Sequence, residues 1–187
     1  YKKIPYNYKT KINSSILELI PLKKRRSKFS TWYRYLEVLN LLCGENKGKV
    51  LDLGLGNGTT YYVLDSLGYD VYGANVENFS NISESKFKEI NLEINNPLPY
   101  ESSSFDIVIF TEVIEHISRP FDVISEISRI IKEGGFLILT TPNILNFFSR
   151  FNFLRTLNHD KFRWIKEEEH YYPMNGALEG HVNSLDY

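Results

Sequence analysis

The stretch Val50-Leu51-Asp52-Leu53-Gly54-Leu55-Gly56-Asn57-Gly58-Thr59 decides the fold of this chain. A short apolar run that contains an aspartate leads into three glycines at alternate positions, and a helical pattern follows from Thr60 to Leu67. Glycine accepts positive φ and has no Cβ, so it suits a loop that turns sharply and lets a ligand approach its backbone. The pattern predicts a buried strand, a ligand-binding loop and a helix N-terminus whose amide groups suit a polar or anionic ligand.

The composition is that of one globular domain. The chain has 187 residues, of which 42% are apolar and 24% are charged, so it can bury a substantial core. Its net charge of -1 disfavours general polyanion binding, and we expect no nucleic-acid partner. The single cysteine, Cys43, rules out an internal disulfide framework and a thiolate metal cluster. A reducing, cytoplasmic compartment is the resulting expectation.

No membrane or secretory segment is expected from the sequence. No apolar run reaches the roughly 18 residues that are needed to span a bilayer. The first residues, Tyr1-Lys2-Lys3, lack the apolar core of a secretory signal.

Helical and extended patterns alternate along the chain. We predict an N-terminal helical segment over residues 1–47, followed by a core over residues 48–143. Within the core, strands are expected at 68–74, 105–110 and 136–140, and a helix at 120–132 ends at Gly134-Gly135. Phe121 is expected on the apolar side of that helix, with Ile124, Ile127 and Ile131. Such alternation predicts an α/β fold with a doubly wound, mostly parallel sheet and helices on both faces.

Several segments of the core resemble the class I S-adenosylmethionine-dependent methyltransferases. The D-x-G-x-G-x-G spacing of Asp52–Gly58 resembles motif I of that family. Further along, residues 97–106 (PLPYESSSFD), residues 111–117 (TEVIEHI) and residues 140–143 (TTPN) resemble other family motifs in the right order. The resemblance covers roughly residues 48–143. It is closest to the branch that contains ubiquinone-biosynthesis-like enzymes and methyltransferases of glycans or small molecules.

The resemblance implies a Rossmann-like fold, S-adenosylmethionine as cofactor and S-adenosylhomocysteine as product. It implies methyl transfer to a small molecule or glycan, with oxygen the first choice of acceptor atom and no metal. The loop backbone would contact the methionine part of the cofactor, and Asp52 would order the loop and contact the amino group through water. The full set of implied cofactor contacts is Asp52, Gly54, Leu55, Gly56, Gly58, Asn75, Val76, Glu77, Asn91, Leu92 and Thr111.

Two of these positions depart from the family pattern. Asn75, at the ribose, and Asn91, at the adenine, stand where the family usually has an acidic residue. An amide oxygen accepts a hydrogen bond without the charge-assisted strength of a carboxylate. Three explanations stay open: binding is weaker but intact, Glu77 and Glu93 have taken over, or the site is degenerate. In an extended chain Glu77 would point to the same side as Asn75; the alternative is that it is simply solvated.

Three other features each have two or more interpretations. His116 is a candidate general base, but a structural role near a helix start is favoured. The basic run at residues 23–28 (KKRRSK) could recognise a phosphate-bearing acceptor, although a solvated face is the commoner role. Residues 144–187 are expected to form an aromatic-rich lid or acceptor-binding segment. Packing on the core ranks first there, acceptor recognition second and membrane contact a distant third.

The final antiparallel strand pair of the family is not evident in the sequence. We therefore expect these C-terminal strands to be missing from the chain, and further chain or a homo-oligomeric partner to cover the sheet edge. Two other functions remain as alternatives: a non-catalytic methyltransferase-like binding or scaffolding domain, and a nicotinamide oxidoreductase, which the glycine spacing opposes. Nucleic-acid methylation is disfavoured because the base-modifying Asn/Asp-Pro-Pro-Tyr motif is absent.

Overall fold

The computed structural model of the chain describes residues 29–42, 47–93, 97–143, 150–151 and 154–155. Residues 1–28 and 43–46 of the predicted N-terminal helical segment lie outside the described residues. The basic run at 23–28 and most of the predicted aromatic-rich segment 144–187 also lie outside them.

The described elements alternate between helices and strands, as the sequence predicts. In chain order they are α1 (Phe29–Leu42), β1 (Lys49–Leu53), α2 (Thr59–Ser66), β2 (Asp70–Asn75), β3 (Phe87–Glu89), β4 (Phe105–Thr111), a 3₁₀ helix (Ile114–His116), α3 (Pro120–Ile130) and β5 (Ile131–Thr140). The five strands form one sheet in the order β3-β2-β1-β4-β5, and all four pairings are parallel. The strand order reverses between β1 and β4, and in such sheets this switch point is where ligands bind.

Apolar side chains cover both faces of the sheet. On one face, Val50 and Ile107 belong to a buried cluster with residues of α1 and α2, such as Leu39 and Leu64. On the other face, Leu51 and Val108 belong to a second cluster with Val123, Ile127 and Ile130 of α3. Both faces of a parallel sheet need such cover because the crossover helices lie against them. The predicted doubly wound α/β fold is confirmed.

The boundary between α3 and β5 differs from the prediction. The helix ends at Ile130 and the strand starts at Ile131, so Gly134 and Gly135 lie inside β5 and do not terminate the helix. The register of β5 against β4 shifts between the pairs Phe105↔Ile131 and Ile107↔Phe136, which places the two glycines in a bulge. A Cβ on Gly135 would lie 2.5 Å from the carbonyl oxygen of Asp106, so the bulge requires glycine there.

The predicted core position of Phe121 is also wrong. Its side chain is 83% exposed, whereas the buried stripe of α3 consists of Val123, Ile127 and Ile130. Phe121 is the second residue of the helix, after Pro120, and lies ahead of this stripe. In the described part of the chain, no helix has the length and apolar character needed to cross a bilayer.

Candidate functional site at the carboxyl edge of the sheet

Parallel pairing brings the carboxyl ends of β1, β2, β3 and β4 to one edge of the sheet. Each group of predicted site residues lies at or just after one of these strand ends. The groups are Asp52, Gly54, Leu55, Gly56 and Gly58 at β1; Asn75, Val76 and Glu77 at β2; Asn91 and Leu92 after β3; and Thr111 and His116 at and after β4. Residues up to 64 positions apart in sequence therefore meet at a single edge.

The glycine loop needs its glycines for different reasons. Gly54, Gly56 and Gly58 have φ values of 78°, 56° and 71°, which is the left-handed region that favours glycine. A Cβ on Gly54 would overlap the side chain of Val113, so that glycine is required for packing. Gly56 is exposed, and a Cβ there would meet nothing within 4 Å. Gly56 is thus the glycine that faces open space, where a ligand can approach the backbone.

The loop is fastened to the neighbouring strand and to the helix that follows. The N–H of Gly54 donates to the carbonyl of Ala74 in β2 over 2.7 Å, and the N–H of Gly58 donates to the carbonyl of Leu55 over 3.0 Å. The side chain of Leu55 is buried in the core cluster, so this residue offers a ligand only its backbone. Gly58 occupies the N-cap position of α2.

Asp52 is a buried carboxyl group directly before this loop. It is 2% exposed, and its Oδ2 has no hydrogen-bond partner among the described residues. Burial raises the pKa of Asp52 to about 7, although the backbone N–H of Tyr61 donates to the carboxylate and acts in the opposite direction. Asp52 can therefore accept one more hydrogen bond, and a cation placed near it would favour its ionised form.

Ser80 is a neighbour of the loop that the sequence did not reveal. Its hydroxyl donates to the carbonyl of Gly56 over 3.4 Å, and its own carbonyl accepts a hydrogen bond from the Tyr62 hydroxyl. A Cβ on Gly58 would lie 2.7 Å from the Ser80 Oγ. Contacts that cross 24 residues leave no local pattern in sequence, so no signal could have identified Ser80.

At the end of β2, the predicted ribose residues differ in exposure. Asn75 is the last residue of the strand, is half-buried, and accepts the N–H of Ile90 at its carbonyl over 2.8 Å. Val76 and Glu77 are exposed and lie in a bend. The argument that Glu77 shares the side of Asn75 assumed an extended chain, and the strand stops before that alternation can apply.

Beyond β3, two polar side chains hold the backbone. The Oδ1 of Asn91 accepts the N–H of Glu93 over 3.0 Å, and the Oε1 of Glu93 accepts the N–H of Ser118 over 2.6 Å. The carboxylate of Glu93 therefore already connects this loop to the segment before α3. That contact weakens the idea that Glu93 replaces the missing acid at position 91. Leu92, between them, is half-buried.

An ion pair lies at the end of β4, next to the predicted Thr111. Arg34 of α1 approaches Glu112, with Nη1 2.8 Å from Oε2. The hydroxyl of Thr140 donates to the other oxygen of Glu112 over 3.0 Å. Glu112 also has φ of 55°, which is uncommon for a residue other than glycine. Thr111 itself is half-buried and faces Thr140 across the β4–β5 pair.

Glu115 and His116 lie in the short 3₁₀ helix that follows. His116 is half-buried at the end of this helix, and its N–H donates to the carbonyl of Val113 over 2.9 Å. Glu115 is 1% exposed, and its Oε2 has no partner among the described residues. Burial chiefly raises the pKa of Glu115 to about 7, and the negative charge of Glu112 adds to the shift. Glu115 is part of the TEVIEHI motif, but no role for it was predicted from the sequence.

Among the described residues, no group of three or more His, Cys, Asp or Glu side chains is placed so that it could bind one metal ion.

The chain is similar to known methyltransferases over the region just described. Residues 51–139 match a family described as "Methyltransferase domain". The ubiquinone biosynthesis O-methyltransferase of Roseobacter denitrificans is 29% identical over 102 residues, which are 51% of this chain and 41% of that protein. A protein of the same name from Coxiella burnetii is 29% identical over 140 residues, which are 66% of this chain and 60% of that protein.

Among solved structures, the PH0226 protein from Pyrococcus horikoshii OT3 superposes with a TM-score of 0.53 at 22% identity, covering 74% of this chain and 66% of that one. At this identity the likeness concerns the fold alone. The chain spans less than two thirds of the length of the curated relatives given above.

Proposed function

We propose that this chain, which carries a class I S-adenosylmethionine-dependent methyltransferase domain, transfers a methyl group from that cofactor to an oxygen of a small-molecule acceptor. The observation that carries the proposal is the loop from Gly54 to Gly58, with Gly56 open to solvent and the buried carboxyl of Asp52 behind it. The names of the two curated relatives support oxygen as the acceptor atom. A glycan is the other acceptor class that the sequence raises.

The residues at the carboxyl edge fit the cofactor chemically. Asp52 keeps one carboxyl oxygen without a partner among the described residues, which suits the amino group of the methionine part. The open backbone at Gly56 suits a ligand that approaches closely. We propose that Asn75 holds the ribose, with Val76 and Glu77 beside it, that Asn91 and Leu92 meet the adenine, and that Thr111 closes one side.

The cofactor, when bound, supplies a methyl group made electrophilic by its sulfonium. The protein's own contribution is then chiefly to align the acceptor and exclude water. We propose His116 as the group that takes the acceptor proton, since it lies at the carboxyl edge and a neutral imidazole nitrogen can accept a proton. Glu115 is the second candidate, because burial raises its pKa to about 7.

We further propose that segments outside the core supply the acceptor side. Residues 1–47 would form a helical segment, of which α1 reaches the edge through Arg34 and Glu112. Residues 144–187 would form the aromatic-rich lid or acceptor-binding segment. The described residues Phe151 and Leu154 are 62% and 79% exposed and are available for such contacts.

Calorimetric titration with S-adenosylhomocysteine tests the cofactor site. We expect micromolar binding by the wild-type chain, weaker binding by Asn75→Ala and little change in Glu77→Ala, because Glu77 is exposed beyond the end of β2. Transfer of an isotopically labelled methyl group to a panel of phenols and alcohols then tests the reaction. Failure of the folded, full-length protein to bind either form of the cofactor would contradict the proposal.

The alternative is a non-catalytic domain that keeps the fold for binding or scaffolding. It is favoured by Asn75 and Asn91, which stand where the family usually has acids, and by the use of the Asn91 oxygen within its own loop. Absence of cofactor binding in a protein with an intact unfolding transition would support this alternative.

A further inference from the structure

A cavity of about 550 Å³ lies at the opposite edge of the sheet from the glycine loop. Its lining includes Lys49 and Phe105, which are the first residues of β1 and β4. The glycine loop begins after the last residue of β1, roughly 13 Å away at about 3.3 Å per residue. The cavity is thus separate from the proposed cofactor site, and its volume is in the range of small-molecule sites.

The ammonium groups of two lysines in this cavity lie over aromatic rings. The Nζ of Lys49 lies 4.5 Å from the centre of the Tyr72 ring and 5.0 Å from that of Phe105. The Nζ of Lys88 lies 4.7 Å from the centre of the Tyr100 ring. Such contacts restrict a long side chain without neutralising its charge.

The three lysines that line the cavity differ in whether a carboxylate neutralises their charge. A third lining lysine, Lys86, forms an ion pair with Asp70. Within the described part of the chain, neither Lys49 nor Lys88 has a carboxylate within ion-pair distance. The Lys88 ammonium donates to the carbonyl of Pro99, which leaves its charge without a counterion, so both Lys49 and Lys88 can attract an anion.

Two buried hydroxyl groups lie behind the wall of the cavity. The hydroxyl of Tyr100 and the Oγ of Ser104 are closed to solvent and have no hydrogen-bond partner among the described residues. A ligand in the cavity does not reach them, so the ammonium groups are what the cavity offers to an anion. The lining also contains Glu84 and Glu101, whose charges disfavour a highly charged polyanion.

We propose that this cavity is a second ligand site, which binds a small organic anion, a carboxylate or a phosphate ester, attached to an aromatic or short apolar body. The anion contacts the ammonium groups of Lys49 and Lys88. The apolar body packs against Leu98 and the ring of Tyr100, which line the same cavity. This site does not depend on the proposed function of the opposite edge.

Four probes test the ligand class on the full chain: benzoate, phenyl phosphate, inorganic phosphate and benzylamine. We expect benzoate or phenyl phosphate to bind in calorimetry and benzylamine not to bind. The stronger of the two organic anions identifies the acidic group. Equal binding of inorganic phosphate and phenyl phosphate would overturn the apolar part of the proposal, and equal binding of benzylamine would overturn the anion part.

Matched variants locate the site. Lys49→Gln should weaken binding of the organic anion at least about fivefold, because a charge-assisted contact is lost. Lys47→Gln, a change at an exposed lysine outside the lining, should leave binding unaltered. Lys88→Gln removes the other lining ammonium group, so it should also weaken binding, and an unchanged Tm would exclude loss of the fold as the cause. Equal affinities in these three variants and the wild type would overturn the proposal.

Discussion

The Nη1 of Arg34 lies 2.8 Å from the Oε2 of Glu112, and this ion pair joins α1 to the end of β4. The side chains are 26% and 27% exposed, so water screens the pair only in part. Because Thr140 donates to the same carboxylate, Glu112 connects α1, β4 and β5 at the edge where we propose that the cofactor binds.

Breaking this ion pair should lower stability measurably. We expect Arg34→Gln to reduce the free energy of unfolding by about 1 kcal/mol, since a half-screened, hydrogen-bonded pair is lost. A double-mutant cycle with Glu112→Gln in urea unfolding should give a coupling energy of similar size. The pair Arg119–Asp122, at 3.6 Å and 65% and 49% exposed, is the control and should give coupling near zero. Equal coupling in both cycles would contradict the expectation.

Substitutions of two glycines of the loop, Gly56 and Gly54, should have separate effects on ligand binding and on folding. Gly56→Asn should fold, because asparagine tolerates positive φ. A Cβ added at position 56 would also have no protein atom within 4 Å. Its affinity for S-adenosylhomocysteine should nevertheless fall at least about tenfold, since the asparagine side chain occupies the space through which the ligand reaches the loop backbone. Gly54→Ala should instead destabilise the fold, because its Cβ overlaps Val113. Thermal unfolding and calorimetry on both variants check this contrast, and unaltered binding by Gly56→Asn would place the cofactor elsewhere.

The buried Asp52 predicts a characteristic pH dependence of stability. Its pKa is about 7 in the folded protein against an ordinary value of 3.8, so the folded state retains a proton that the unfolded chain releases. Stability should therefore fall as the pH rises from about 4 to about 7, by up to about 1.4 kcal/mol per pH unit. Asp52→Asn should gain stability relative to wild type across that window. Urea unfolding at several pH values measures the difference, and Asp65→Asn, at an exposed position of α2, is the control.

The same carboxyl predicts proton release on cofactor binding. If the cationic amino group of the cofactor lies near Asp52, its charge lowers the pKa of this carboxyl. Binding at about pH 6 should then release up to about one proton, which calorimetry in buffers of different ionisation enthalpy detects. Asp52→Asn should abolish the buffer dependence. A buffer dependence that persists in this variant would assign the proton to another group.

Arg129 should contribute more to stability than its surface position suggests. Its guanidinium donates to the carbonyls of Leu98 and Tyr100 over 3.1 and 2.9 Å, and it contacts Glu126 at 2.7 Å. We expect Arg129→Gln to cost about 1–3 kcal/mol, because it leaves a carboxylate and backbone carbonyls with fewer partners. Arg119→Gln, at the arginine just before the same helix whose pair with Asp122 is exposed, should cost less than about 0.5 kcal/mol. Chemical denaturation of both variants measures the two costs.

Much of the fold could be predicted from local sequence. The apolar run at Val50–Leu53, the alternate glycines and the helix that follows each impose conformations through neighbouring residues alone, so they predicted β1, the loop and α2. The strand expected at 105–110 is confirmed as β4, and residues 107–110 of it are buried. The predicted site residues came instead from the resemblance to the methyltransferase family, and the parallel sheet brings them to one carboxyl edge.

The tertiary structure decided the features that depend on contacts distant in sequence. Because Ile131 pairs with Phe105, β5 starts at Ile131 and Gly134 and Gly135 lie in a bulge. In the sequence, these two glycines indicated the end of a helix, because the pairing with Phe105 is not visible there. Burial within the fold raises the pKa values of Asp52 and Glu115 to about 7. The sequence shows that both residues carry a carboxyl group, but it does not show that these groups are buried. Local sequence thus determined the conformational preferences of strands, loop and helices. Only folding determined burial, charge state and partners, because these are set by atoms that the chain brings together from far apart.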